Sequence, residues 1–230
     1  MRILFVAATR FEIEPLFKYL QIRHESIAHY YRKKIGANEF SILITGPGMV
    51  STAYHLGINL FENDYDLVIN AGIAGSFKKN ISLGSVVNVY EESFSDLGIE
   101  DDDTFIPIAE MNFEGPDEFP LRKKSIRNTS EINSISLLLL PKVKGITVNT
   151  VHGNEQSIEK VIKLFHPDIE SMEGAAVFYA CNYKNKTPFA EIRAISNYVE
   201  IRDKRKWKTK EAINNLCETL KTFIEELHGT

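Results

Sequence analysis

Cysteine is nearly absent: Cys181 and Cys217 are the only two in 230 residues. Two thiols so far apart make neither a disulfide framework nor a metal knuckle, and they are expected to be buried in a reducing, cytoplasmic setting. Long apolar runs are missing too. The opening stretch is apolar over residues 3–8 and then meets Thr9, Arg10 and Glu12. That is shorter than a signal-peptide core of ~7–15 residues, and nothing approaches the ~18 of a membrane span. Basic charge is not in excess. The chain has 27 Lys and Arg against 31 Asp and Glu, a net charge of −4, which argues against nucleic acid as the main partner because phosphate binding wants a basic field. His24, His29, His55, His152, His166 and His228 show no ligand spacing, so no metal site is expected. Neither a G-x-G-x-x-G turn nor a Walker lysine occurs, and no organic cofactor is implied. There is no internal repeat and no low-complexity tract.

What remains is ordinary for a folded protein: 43% hydrophobic and 25% charged residues. The length suits a single domain over 1–230, since one core grows comfortably to ~250 residues. Short apolar runs alternate with helical patterns. Strands are predicted over 2–8, 27–34, 40–45, 66–70, 84–90, 144–151, 168–170 and 188–196, with Gly36-Ala37-Asn38 turning a hairpin between the second and third. Helices are predicted over 10–20, 49–62, 130–139, 156–166 and 173–184. Strands separated by such helices imply crossovers and a largely parallel sheet, so the fold class is α/β. In the C-terminal segment Ile213, Leu216, Leu220, Phe223, Ile224 and Leu227 recur at helical spacing and are expected to dock on the sheet. Thr209 is the expected cap at its start and Gly229 the expected stop. Residues 91–129 read as irregular, and the acidic run 100–103 as a solvated or interface loop. The basic run 204–208 around Trp207 reads as a solvated start to the last helix.

Several polar groups sit where an open α/β sheet binds ligands, at the carboxyl ends of its strands. Glycine turns follow two strands, at 45–48 and at 70–76. They either let backbone N–H groups approach a ligand or simply make tight turns. Glu12 stands three residues after Thr9, the spacing of a capping box, and could instead face the cleft as a general base. Ser171-Met172-Glu173-Gly174-Ala175-Ala176 opens an apolar helix with a carboxylate and then with little side-chain bulk, which lets something else approach. Arg193-Ala194-Ile195-Ser196-Asn197 ends a buried strand in polar groups.

In this order and at about this spacing, these pieces resemble the purine nucleoside phosphorylase and nucleosidase superfamily over nearly the whole chain. Within it they are most similar to the methylthioadenosine and S-adenosylhomocysteine nucleosidase branch. Phe94-Ser95-Asp96-Leu97-Gly98, His152-Gly153-Asn154-Glu155 and Ile195-Ser196-Asn197-Tyr198-Val199 resemble the futalosine hydrolases of that branch. The resemblance implies a three-layer α/β/α sandwich with a mixed, largely parallel central sheet, and cleavage of a purine N-glycosidic bond without a cofactor. It implies Glu12 as the carboxylate that deprotonates water and Glu173 as the anion that holds the ribose hydroxyls. Met172, Gly75 and Ser76 would line the sugar, and Glu155 would belong to the substrate-binding turn. It also implies a homodimer whose loop 94–110 reaches the neighbour's pocket.

One position departs from the adenine-releasing relatives, which carry Asp where this chain has Asn197. A carboxamide offers one donor and one acceptor face. The donor suits O6 of a 6-oxopurine and the acceptor suits N7–H, so hypoxanthine is the expected leaving group, as in futalosine. Phosphorolysis would need an arginine clamp; only Arg10 stands near Glu12, and water is the expected nucleophile. Arg10 could instead meet a substrate carboxylate.

Overall fold

The computed structural model describes residues 1–22, 29–102, 104–111, 125–183 and 187–227. The chain begins with β1 (Arg2–Ala7), a 3-10 turn (Arg10–Ile13), α1 (Glu14–Tyr19), β2 (Tyr30–Ile35), β3 (Asn38–Ile44) and α2 (Met49–Glu62). It continues through β4 (Leu67–Ser76), β5 (Val86–Phe94), β6 (Gly98–Asp101), β7 (Thr104–Pro107), β8 (Ile126–Arg127) and α3 (Ile135–Leu138). Last come β9 (Lys142–Thr147), α4 (Glu155–Phe165), β10 (Ile169–Ser171), α5 (Gly174–Tyr183), β11 (Phe189–Tyr198) and α6 (Thr209–Glu226).

Nine strands form one mixed sheet in the order β10-β9-β5-β11-β4-β1-β3-β2, with β8 on β5. Side chains alternate across its strands, and the alternation sorts them into two cores. Ile3, Phe5 and Ala7 of β1 pack with α1 and α6, while Leu4 and Val6 pack with α2 and α5. Helices on both faces of a mixed sheet make the α/β/α sandwich. The last strands close on themselves: β10 runs parallel to β9 and also pairs antiparallel with β4, setting Glu170 opposite Gly75.

Several elements differ from their predicted extents. The helix expected over 10–20 is a 3-10 turn followed by one short helix. Pro15 stands in the first turn of α1, where its missing N–H costs nothing. The stretch 70–76 is no turn, because β4 runs straight through it to Ser76. β5 reaches Phe94, and the irregular middle holds the β6–β7 hairpin and β8. The helix expected over 130–139 is a single turn started by Ser134, whose Oγ accepts from Leu137 N at 3.3 Å. β9 stops at Thr147. Thr209 is the first helical residue rather than the cap. Gly229 and residues 27–28 lie outside the described residues, as does Asp103 of the acidic run.

Candidate active site

Two glycines of β4 organise the site. A Cβ at Gly72 would collide with the Arg193 guanidinium and lie 3.0 Å from Glu12 Oε1, so the strand lets those side chains cross its face. Glu12 is held from three directions. Its Oε2 accepts from Thr9 N and Thr9 Oγ1, both at 3.0 Å, and its Oε1 accepts from Ile73 N at 3.1 Å. The Thr9 contacts are the capping interaction, so cap and buried carboxylate are one side chain. Burial above all, and then Glu173, raise its proton affinity, while Arg193 and the donated hydrogen bonds oppose the rise.

Glu173 precedes α5. Its Oε1 accepts from Gly48 N at 3.0 Å. Gly48 can aim that N–H because it takes φ +93° in the loop from β3 to α2, a conformation open to glycine. Arg193, 1% exposed, lies behind both carboxylates. Its Nη1 meets Glu173 Oε2 at 3.5 Å, Nη2 donates to Asn70 Oδ1 at 2.6 Å and Nε donates to Glu191 Oε1 at 2.7 Å.

The second cluster surrounds Gly75. β11 pairs in parallel with β4, but its register slips between Ile195 and Asn197. The extra residue, Ser196, bulges the strand, a device that re-aims a side chain, and Asn197 comes to face Gly75. A Cβ at Gly75 would lie 3.2 Å from Asn197 Nδ2 and 3.5 Å from Glu170 Cγ. Ser196 Oγ donates to Asn197 Oδ1 at 2.8 Å, and Asn197 Nδ2 donates to Tyr198 O at 3.1 Å. Each amide end keeps one further hydrogen-bonding capacity.

Both clusters open on one cavity of about 490 Å³, whose wall includes Glu12, Glu173, Met172, Gly75 and Asn197. Three other sequence candidates sit elsewhere. Ser76 is buried at the end of β4 with its hydroxyl tied to Lys78 and to Asp168 O. Arg10 is held by Glu14 at 2.6 Å and packs over the Phe17 ring, outside the cavity wall. Glu155 is exposed at the start of α4, which Asn154 caps by accepting from Gln156 N and Ser157 N; an anion there favours the helix dipole. The small residues opening α5 do admit something, though not a ligand. A Cβ at Gly174 would come within 2.5 Å of Glu92 Oε1 and of Glu191 Oε1. Among the described residues no group of three His, Cys, Asp or Glu side chains could hold a metal.

The model of the phosphorylase superfamily matches residues 2–225, and the chain belongs to that superfamily. A futalosine hydrolase of Thermus thermophilus is 30% identical over 198 residues, 83% of each chain. A 5′-methylthioadenosine/S-adenosylhomocysteine nucleosidase of Bacillus subtilis is 28% identical over 86% of each. Among solved structures, such a nucleosidase from Helicobacter pylori superposes with a TM-score of 0.80 at 16% identity, covering 98% of both chains.

Proposed function

We propose that this protein is a nucleosidase that hydrolyses the N-glycosidic bond of a 6-oxopurine riboside, futalosine being the substrate, and releases hypoxanthine. One observation carries the reading: Glu12, Glu173 and Asn197, far apart in sequence, stand in the wall of one cavity. As the C1′–N9 bond breaks, its electron pair moves into the base and positive charge gathers on the sugar. Glu173 holds the ribose hydroxyls and favours that charge. The water oxygen bonds C1′ while its proton passes to Glu12, which burial makes a stronger base than an exposed glutamate. Asn197 donates to O6 and accepts from N7–H as the base takes its proton from solvent. Arg193 is already committed to Asn70, Glu191 and Glu173, so among the described residues it offers no free guanidinium to clamp phosphate beside Glu12, which favours water as nucleophile.

The purified protein should release hypoxanthine from futalosine without phosphate, and Asn197→Asp should erode its preference over methylthioadenosine. Phosphate-dependent turnover, or a preference unchanged in the variant, would overturn this account. The protein is further proposed to act as a cytoplasmic homodimer. The β6–β7 hairpin, within the loop expected to reach a neighbour, shows Ile99 to solvent, and α2 exposes Val50, Tyr54, Ile58 and Phe61 along one side. An apolar stripe of that kind suits a second copy of the chain.

A further inference from the structure

His152 and Glu170 also stand in the cavity wall, and the reaction above gives them no part. Glu170 is 4% exposed on β10. It accepts from His152 N on Oε1 at 3.2 Å and meets His152 Nδ1 on Oε2 at 2.6 Å. A carboxylate oxygen accepts from the Nδ1–H, and in a neutral imidazole that arrangement leaves Nε2 as the lone-pair acceptor. The ring packs edge-on against Phe77, centroids 6.3 Å apart, which fixes its plane. Nε2 has no protein partner among the described residues.

Position gives this acceptor its meaning. The β10–β4 pairing sets Glu170 opposite Gly75, which Asn197 faces from β11. His152, held on Glu170, therefore shares the Gly75 side of the cavity with Asn197, while Gly72, beside Glu12, lies three strand residues (~10 Å) back along β4. Around the edge of a 6-oxopurine, N7, O6 and N1–H follow one another. Asn197 serves the first two. We propose that His152 Nε2 accepts the N1–H of the base, with Glu170 as the positioning residue that locks the tautomer. Adenine presents a bare N1 acceptor there, so two lone pairs would face each other. Base choice then rests on two residues, a carboxamide and an oriented imidazole.

This inference rests on the purine reading above. Its test is calorimetric binding of hypoxanthine and adenine to the full-length protein and to two variants, each checked for a cooperative melt. His152→Phe keeps the ring packing and should weaken hypoxanthine roughly tenfold or more while leaving adenine as tight or tighter, since the facing lone pair is gone. Glu170→Gln can donate to Nδ1, which moves the ring proton to Nε2, and should shift the hypoxanthine-to-adenine ratio toward adenine by a similar factor. A purely structural role would weaken both bases together. Hypoxanthine binding with an unaltered ratio in both variants would overturn the role of His152 and leave the proposed function standing. A wild-type protein that binds neither base would remove both.

Discussion

Glu12 holds its charge where burial and Glu173 oppose ionisation, and Arg193, Ile73 and Thr9 support it. As a base it works only when ionised, so the acid limb of kcat/KM should fall above 4.5, the ordinary glutamate value. Glu173→Gln removes a neighbouring anion and should move that limb to lower pH while lowering the rate; a limb that stays put or moves up would contradict the coupling. Glu12→Gln should cut kcat by about 10²–10⁴ with a melting temperature near wild type. A collapse of stability with activity spared would mean that the residue is only a cap. The spacing of Thr9 and Glu12 made the cap legible in the sequence. The Ile73 and Arg193 contacts were not, because they come from β4 and β11, distant strands. Arg193 and Glu191 did leave a signal: two charges at i and i+2 in an otherwise apolar strand lie on one face, which calls for partners.

At the level of the element, β11, β5 and the start of α5 share a problem of buried charge. Among the described residues no N–H or hydroxyl donor reaches Glu92 Oε1 or Glu191 Oε2, both buried, and the two carboxyls come together over Gly174. Desolvation first, then Glu191, push the Glu92 proton affinity well above the usual range. A folded-state value above the unfolded one gives stability that is complete below the unfolded 4.5 and drains away as pH rises through the folded value. Glu92→Gln cannot ionise, and its amide still accepts from Thr147 Oγ1 and can donate to Glu191. Thermal melts from pH 4.5 upward should show a flatter decline in the variant, which becomes the more stable form at neutral pH. Parallel declines would refute the tie between Glu92 ionisation and stability. The glycine and alanines of this helix start were visible in the sequence as a place of close approach. What approaches was not, since Glu92 belongs to a stretch that reads as irregular and is the end of a long strand.

For the whole molecule, sequence periodicity was enough for the class of fold, because alternation across strands and the stripe of α6 are local patterns. The closure of β10 onto β4 was not legible: three residues carry no periodicity, and their second partner lies far back in the chain. The exposed side of α2 also escaped notice, since its apolar residues resemble core until Thr52, Leu56, Asn59 and Leu60 are seen to fill the buried side. If that side joins two copies, Tyr54→Glu with Ile58→Lys should turn a sedimenting dimer into monomers at micromolar concentration; a wild-type protein already monomeric there would dismiss the interface.

The central position of β11, between β4 and β5, has a consequence for biosynthesis. This strand, which brings Arg193 and Asn197 into the sheet, is synthesised only after the first 188 residues. Until then a nascent chain can form β1, β3 and β4 around their helices, with its last strands waiting. The pocket therefore does not exist on a partial product, and a truncation before Phe189 leaves exposed strand edges in place of a binding site.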